Sequence, residues 1–140
     1  MRKVLCPYCD LQAELIDAAQ VYRRSYGKLW ICQPCNAWVG VHKDSKDAAP
    51  KGTLAKAGLR RLRIEVHGVF DPFWMELCAS GLSKGRARKA CYTRLATDMA
   101  IQPEVCHIAM FDEDQCKQAI SICMKWREAA AEATASPESL

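Results

Sequence analysis

Two cysteine pairs with the same internal spacing lie near the start of the chain. The first reads Cys6-Pro7-Tyr8-Cys9 and the second Cys32-Gln33-Pro34-Cys35. A Cys-x-x-Cys hook turns both of its sulfurs toward one ion, and a hairpin between two hooks brings the second back to the first. Four thiolates leave no coordination position for water or substrate. We therefore predict one structural Zn²⁺, held by Cys6, Cys9, Cys32 and Cys35.

Two disulfides or a redox Cys-x-x-Cys are the other interpretations of these cysteines. Disulfides persist in oxidising compartments, whereas residues 1–5 lead into the first hook without an apolar signal segment. A thioredoxin-type motif is single and lies in a βαβ context, but this one is duplicated. A metal would also supply folding energy that a short segment cannot obtain from burial. We expect a cytoplasmic zinc protein.

Extended segments beside the hooks predict a sheet of about three antiparallel strands. Residues 13–16, 29–31 and 38–42 contain the β-branched and aromatic side chains that suit strands. Trp30 and Trp38 are expected to pack over the metal site. The turn before the second strand is exposed and combines rings with cations, which can stack on bases and neutralise phosphates. The predicted nucleic-acid contacts in this turn are Arg23, Arg24, Tyr26 and Lys28.

Helical periodicity dominates the rest of the chain. It predicts helices from Leu54 to Phe70, from Pro72 to Gly81, from Ser83 to Met99 and from Asp112 onward. Asp71-Pro72 is interpreted as a helix stop and restart, because the residue before a proline disfavours the αR region. The predicted fold class is α+β: a zinc ribbon packed on or linked to a carboxy-terminal bundle of about four helices.

Composition changes along the chain set the predicted domain bounds. Residues 1–43 form the zinc ribbon, 44–52 a polar linker, 53–133 the helical domain and 134–140 a disordered tail. No apolar run approaches the length of a membrane span, so we expect no membrane partner.

Basic residues are concentrated in the middle of the chain. Residues 50–99 contain ten Lys and Arg against four Asp and Glu, whereas residues 100–140 contain three against seven. This asymmetry suggests an anionic partner, although a solvated helix face is the commoner explanation. The predicted helix after Ser83 is the most basic, and its phosphate contacts are predicted at Lys84, Arg86, Arg88 and Lys89.

Five cysteines remain outside the hooks. Their spacing forms no second hook pair, and unpaired cysteine is among the most buried residue types, so we predict small core residues. They are Cys78, Cys91, Cys106, Cys116 and Cys123. A second metal site with Cys106, His107 and Cys116 is the alternative.

Further segments, together with the hooks, carry a family resemblance. They are Tyr26-Gly27-Lys28-Leu29-Trp30, Val39-Gly40-Val41-His42, Gly52-Thr53-Leu54-Ala55, Leu59-Arg60-Arg61, His67, Phe70-Asp71-Pro72-Phe73-Trp74 and Cys106-His107-Ile108-Ala109-Met110-Phe111-Asp112. From roughly Cys6 to Cys123 the chain resembles the zinc-finger-containing domain family of unknown function found in tailed phages, prophages and bacteria. Lys51 and Ala109 depart from its pattern. The resemblance implies zinc at the four hook cysteines and a phage or prophage setting, hence a host cytoplasm, but no activity.

Three functions are open at this point. The first is a non-enzymatic accessory or regulatory protein that binds DNA or RNA. The second is a protein-binding module that acts on a host complex in defence or transcription. The third is a nuclease using His42, His67 or His107, which would need an open metal position or carboxylates beside a histidine. Those histidines are scattered singly, so we expect no enzyme, and basicity slightly favours nucleic acid over a host protein.

Overall fold

The computed structural model describes residues 2–135 of the chain, with side chains to residue 133. It divides into two compact units, the amino-terminal unit of residues 1–61 and the helical unit of residues 62–140. Among the described residues, no helix combines the length and the apolar character that a membrane span requires.

The amino-terminal unit is built on three short antiparallel strands. β1 is Glu14–Asp17, β2 is Lys28–Cys32 and β3 is Ala37–Gly40, with β2 in the middle. Trp30 pairs with Leu15 on one side and with Val39 on the other. The predicted three-stranded antiparallel sheet is therefore confirmed.

The turn between β1 and β2 is fixed by local hydrogen bonds. The Asp17 carboxylate accepts from the N–H of Ala19 at 2.8 Å and caps a 3-10 turn over Ala18–Gln20. The N–H of Ala18 donates to the carbonyl of Gly27 at 2.8 Å. Gly27 has a φ of 101°, which glycine adopts without steric cost. The basic residues of the turn are therefore presented on a defined backbone.

A segment after β3 runs antiparallel along its outer edge. Trp38 and Ala55 exchange backbone hydrogen bonds of 3.1 and 3.0 Å, and the N–H of Lys51 donates to the carbonyl of Gly40 at 2.9 Å. Residues 44–52, predicted as a linker, thus lie against the ribbon for part of their length. The domain bounds themselves stay a prediction.

Both faces of β2 are buried, as alternation of side chains along a strand allows. Leu29 and Ile31 pack with Ala18 on one face. The other face belongs to the cluster that contains two hook cysteines. Its buried members are Cys6, Ala13, Trp30, Cys32, Ala37 and Leu54. The metal hooks and the sheet therefore share one core.

Three α-helices lie within the described residues. α1 is Ala57–Ala79, beginning in the last residues of the amino-terminal unit, α2 is Lys84–Met99 and α3 is Glu113–Ala135. Two 3-10 turns, Pro103–Val105 and Ile108–Met110, connect α2 to α3. Because α3 runs to Ala135, it includes two residues of the predicted tail; residues 136–140 lie outside the described part.

Trp126 ties the three helices of the helical unit together. Its ring meets Phe73 of α1 edge-on at 5.2 Å between centroids. Its Nε1 donates to the carboxylate of Asp98 in α2 at 2.7 Å, and the Arg94 guanidinium lies 4.1 Å over the ring. Buried aromatic contacts with a satisfied N–H stabilise such packing.

The predicted break at Asp71-Pro72 is wrong, which reduces about four helices to three. Pro72 lies inside α1 and cannot donate a backbone hydrogen bond. The Asp71 carboxylate spans the interruption, because it accepts from Trp74 Nε1 at 3.0 Å and lies 3.1 Å from His67 Nδ1. Phe70 is fully buried just before the proline. This packing and bridging outweigh the local preference for a break.

Of the other three predicted helix starts, two are confirmed and one is wrong. Ser83 caps α2 by accepting from Arg86 N–H, and Asp112 and Gln115 bond each other's backbone N–H in a capping box before α3. The start of α1 predicted at Leu54 is wrong. Leu54 is instead buried in the ribbon core, and the helix begins three residues later.

Candidate metal centre and nucleic-acid interface

The two predicted hooks bring four sulfur atoms to one place. The Sγ atoms of Cys6, Cys9, Cys32 and Cys35 all lie within 4.8 Å of one another. Cys9 and Cys32 Sγ are 3.6 Å apart, whereas a disulfide requires about 2.05 Å. Sulfurs about 2.3 Å from a shared tetrahedral ion would be about 3.8 Å apart. The arrangement therefore fits one metal ion and does not fit two disulfides.

Each hook closes through a left-handed residue directly after its second cysteine. These residues are Asp10, with φ 64°, and Asn36, with φ 53°. Asp and Asn tolerate this conformation better than most other non-glycine residues. Their N–H groups donate to the carbonyls of Cys6 and Gln33 at 2.8 and 3.1 Å. Asp10 and Asn36 thus support the site. The sequence signal for this role is an Asp or Asn directly after each hook, and cysteine spacing alone does not include it.

The two hooks give their first sulfur different backbone donors. Burial raises the pKa of Cys6, but hydrogen bonds from the N–H groups of Tyr8 and Cys9, together with those of the Cys32 and Cys9 thiols, outweigh it, and the pKa is lowered. In the second hook Pro34 takes the position of Tyr8 and has no N–H. The Cys35 backbone lowers the pKa of Cys32, but burial and the neighbouring thiols raise it by more.

Four thiols in one place cannot all ionise without a cation. The pKa of Cys35 is raised to about 12, first by the hydrogen bond with the Cys9 thiol and then by burial. Additional thiolates would repel one another at short range. A divalent ion removes this penalty, and its binding releases protons. The donor set therefore has the chemistry of a metal centre.

Trp30 packs in the cluster of the hook cysteines as predicted, whereas the same prediction is wrong for Trp38, which packs against Ala18, Leu29 and Ile31 on the other face of the sheet. Trp30 is 3% exposed, and its Nε1 donates to the carbonyl of Ala48 at 2.8 Å. Trp38 is half-buried, with Nε1 donating to the Tyr22 hydroxyl at 2.9 Å and the Arg60 guanidinium 3.5 Å over its ring. Arg60 also donates to the carbonyl of Ala55. These contacts make both rings structural.

The predicted nucleic-acid contacts of the turn are exposed. Arg23, Arg24, Tyr26 and Lys28 all face solvent. The Arg24 guanidinium lies 5.7 Å from the Tyr26 ring, and Tyr22 meets that ring edge-on at 5.6 Å. Tyr26 nevertheless remains 68% exposed. The turn therefore presents an accessible ring among cations.

The predicted contacts of α2 form a second exposed group. Lys84, Arg86, Arg88 and Lys89 are all exposed on its first turns. Lys84 and Arg88 lie 5.4 and 6.0 Å from the Trp74 ring of α1. The turn residues belong to the amino-terminal unit and these residues to the helical unit. The turn residues and the α2 residues therefore form two separate groups, one in each unit.

The other five cysteines form no second centre. Cys91, Cys106, Cys116 and Cys123 are buried and Cys78 is half-buried in the helical unit. Burial raises the pKa of Cys106 and Cys116 to about 11 and that of Cys123 to about 12. Within residues 2–135, the hook cysteines are the one group of three or more potential ligands close enough for an ion. The predicted core role is confirmed for the four buried cysteines, and the alternative site at Cys106, His107 and Cys116 is not formed.

The ribbon and its four sulfurs define a class, that of small proteins built around a cysteine-ligated metal centre. A family model described as a zinc-finger-containing domain matches residues 2–126. Because the match covers most of the chain, the protein belongs to this family of zinc-finger-containing domains. Searches of curated proteins and of solved structures find no match.

Proposed function

We propose that this protein is a non-enzymatic zinc-ribbon protein that binds nucleic acid as an accessory or regulatory factor. The ion is zinc, since a set of four thiolates favours it and the family description names it. The earlier resemblance supports a phage or prophage setting and a host cytoplasm. Elemental analysis of purified protein should give one zinc per chain; iron or no metal would contradict this assignment.

Uncompensated positive charge supports a nucleic-acid partner. In the described part of the chain, none of the seven Lys and Arg among the predicted contacts of the turn and of α2 forms a salt bridge. Exposed Lys and Arg without carboxylate partners can neutralise phosphates and release their counterions. This one observation carries the proposal.

Aromatic rings beside the cations support the same proposal. Tyr26 accompanies Arg24 in the turn, and Trp74 accompanies Lys84 and Arg88 in the helical unit. A ring adds base stacking to phosphate neutralisation. Either nucleic acid, DNA or RNA, offers both groups.

Salt-dependent binding tests the proposal. Fluorescence anisotropy should show binding to labelled DNA or RNA that weakens steeply between 50 and 200 mM salt, about 0.7–0.9 in the log–log slope for each phosphate contact. Replacing Arg86, Arg88 and Lys89 by Ala together should reduce affinity roughly tenfold and lower the slope by about 2–3.

A control with the same loss of charge separates local contacts from net charge. Lys117→Ala, Lys125→Ala and Arg127→Ala together also remove three positive charges, but from exposed positions of α3. The α2 variant should lose clearly more affinity than this control. Equal affinities of wild type and the α2 variant would contradict the role of α2, and no salt-sensitive binding by wild type would contradict the function.

A protein-binding module is the second candidate, and exposed apolar residues beside the first hook favour it. Leu5 and Leu11 are 57% and 56% exposed on either side of Cys6 and Cys9. Exposed apolar side chains are typical of protein interfaces when they cluster. Affinity capture from a host lysate, with and without nuclease, discriminates the protein-binding function from nucleic-acid binding. The module is supported if one stoichiometric protein is captured after nuclease treatment and is no longer captured by the variant with Leu5→Ser and Leu11→Ser.

One pair of side chains, His67 and Asp71, is relevant to the nuclease hypothesis. His67 Nδ1 lies 3.1 Å from the Asp71 carboxylate, a pairing that could orient a general base. The same carboxylate also holds Trp74 across the proline of α1, so a structural role explains the pair. We expect no cleavage of DNA or RNA with added Mg²⁺, Mn²⁺ or Zn²⁺; cleavage that is lost in His67→Ala would overturn the non-enzymatic proposal.

A further inference from the structure

A basic cleft lies beside the turn between β1 and β2 in the amino-terminal unit. Its volume is about 740 Å³, which falls within the roughly 300–1,000 Å³ typical of ligand sites. Its ionisable and aromatic lining consists of Tyr26, Lys28, His42, Lys43, Lys46 and Lys51, and no acidic side chain lines it. Three of these lysines were not predicted from the sequence, because Lys43 lies at the end of the predicted ribbon and Lys46 and Lys51 lie in the predicted linker.

The positive charge of the four cleft lysines is balanced only in part. None of them forms a salt bridge within the described residues. Asp47, the acidic residue beside Lys46, is instead paired with Arg2 and accepts from the Ser45 hydroxyl. Asp17 acts electrostatically on Lys28 alone among the four. Asp44 follows Lys43 in the same loop but does not line the cleft. The lining itself therefore has four lysines and no carboxylate, and such a concave site concentrates anions.

The loop that carries two of the lysines is held in place. The N–H of His42 donates to the carbonyl of Ala49 at 2.9 Å, closing the loop at its base. The N–H of Ala49 also donates to the Ser45 hydroxyl at 2.9 Å. Lys43 and Lys46 project from this closed loop. Cations on an anchored backbone lose less entropy on binding than cations on a mobile tail.

Tyr26 adds a stacking surface at the side of the cleft. Its ring is held by Tyr22 and Arg24, yet 68% of the residue is exposed. Aromatic stacking on a base is independent of sequence and requires a base that is not already stacked inside a duplex. Cations that track phosphates and a free ring together fit a single strand.

We infer that this cleft binds single-stranded nucleic acid, with a base on Tyr26 and neighbouring phosphates on Lys43, Lys46 and Lys51. The inference rests on the proposed nucleic-acid function and specifies its substrate and its site. Single-stranded DNA and RNA both supply the base and the phosphates, so both are tested.

Two variants of the full-length, zinc-loaded protein test the site. Labelled oligo-dT and oligo-U strands and a duplex of equal length are titrated by anisotropy. Lys43→Ala, Lys46→Ala and Lys51→Ala together should weaken single-strand binding roughly tenfold and lower the salt slope by about 2. Tyr26→Leu should weaken single-strand binding at least about fivefold, without changing the salt slope or duplex binding. All four side chains are exposed, and zinc content and circular dichroism verify that the variants are folded.

The outcomes separate this site from the general function. The α3 triple variant Lys117→Ala, Lys125→Ala and Arg127→Ala is the charge-matched control and should bind within about twofold of wild type. If wild type binds nucleic acid but the cleft variant matches that control, the cleft is overturned and the proposed function stands. If Tyr26→Leu weakens duplex and single strand equally, stacking is overturned. Absence of any binding by wild type overturns both.

Discussion

The two units of this protein use the same residue type in opposite ways. In the amino-terminal unit, four cysteines gather their sulfurs within 4.8 Å, and backbone N–H groups favour ionisation of the first. In the helical unit, four cysteines are buried and neutral, with pKa values raised by burial. The difference shows that local backbone geometry, and not cysteine content, determines whether a thiol becomes a ligand or part of a core.

Each unit also contains a polar link between separate parts of its chain. The amino-terminal unit has its metal ligands, whereas the helical unit has Arg63, which is 9% exposed and donates from Nε and Nη2 to the carbonyl of Phe111 at 3.1 and 2.9 Å. One link depends on an external ion and the other only on the chain. The stability of the two units should therefore respond to different treatments.

The largest expected effect comes from removing the metal. Cys32→Ser, or a strong chelator, should abolish the tertiary structure of the amino-terminal unit, because structural zinc contributes about 10–16 kcal/mol in zinc-finger peptides and domains are stable by about 5–15 kcal/mol. Helicity at 222 nm should be largely retained. Amide NMR spectra should lose the dispersed signals of residues 2–61 and keep those of the helical unit.

Cys116→Ser is the matched control for that change. The same atom is replaced, but Cys116 is fully buried in the helical unit, so we expect a loss of about 1–3 kcal/mol from an unpaired hydroxyl and no loss of zinc. Dispersed amide NMR signals of residues 2–61 in metal-free protein would contradict the expected dependence of the amino-terminal unit on the ion.

Alkaline pH should affect the helical unit through its buried thiols. Their folded-state pKa values of about 11 for Cys106 and Cys116 and about 12 for Cys123 lie above the ordinary 9.0. Above pH 9 the unfolded chain loses protons that the folded unit retains, so the free energy of unfolding falls as pH rises, by up to about 1.4 kcal/mol per pH unit for each thiol. Below pH 9 these thiols give no pH dependence.

Urea unfolding between pH 8 and 11, followed at 222 nm, measures this slope. Cys123→Ala should reduce it, since one retained proton is removed. An unchanged slope in that variant would show that other groups dominate the alkaline response.

Removing the hydrogen bonds from Arg63 to the Phe111 carbonyl should have an intermediate effect on the stability of the helical unit. Arg63→Met removes two charged hydrogen bonds and leaves the Phe111 carbonyl without these donors, at a cost of about 2–3 kcal/mol. Arg61→Met, at an exposed neighbouring position, should change stability by less than about 0.5 kcal/mol. Urea denaturation compares them, and zinc content should stay the same in both variants. Equal stabilities would refute the central role of Arg63.

The smallest expected effect concerns left-handed residues. The hooks place Asp10 and Asn36 in this conformation, whereas α2 ends on Ala100 with φ 59° and ψ 43°. Glycine is preferred there because it has no Cβ. Ala100→Gly should therefore stabilise the helical unit by about 0.5–1 kcal/mol, while Ala90→Gly inside α2 should destabilise it by about 1 kcal/mol. Thermal unfolding distinguishes the signs.

Spacing and periodicity predicted most of the architecture. The duplicated Cys-x-x-Cys identified the four clustered sulfurs, and capping residues located α2 and the start of α3. The continuity of α1 was not predictable from propensity, because it depends on side-chain contacts of the Asp71 carboxylate with Trp74 and His67. The start of α1 was missed because Leu54 belongs to the ribbon core.

The candidate surfaces were predicted less completely than the metal centre. Local composition found the turn cations, but the cleft lysines come from the turn, the loop after β3 and the segment along its edge. Only the antiparallel return of that segment onto β3 places Lys51 beside the others. Without knowledge of this pairing, a polar stretch with proline and glycine is interpreted as a linker.

The return of residues 49–55 along β3 also has a consequence for handling the protein. It occupies hydrogen-bonding groups that an exposed strand would offer to a neighbouring molecule. When the ion is withdrawn and the ribbon loosens, this cover is lost together with the core beneath it. Metal-starved preparations should consequently precipitate through intermolecular strand pairing, and zinc in the growth medium is the practical safeguard.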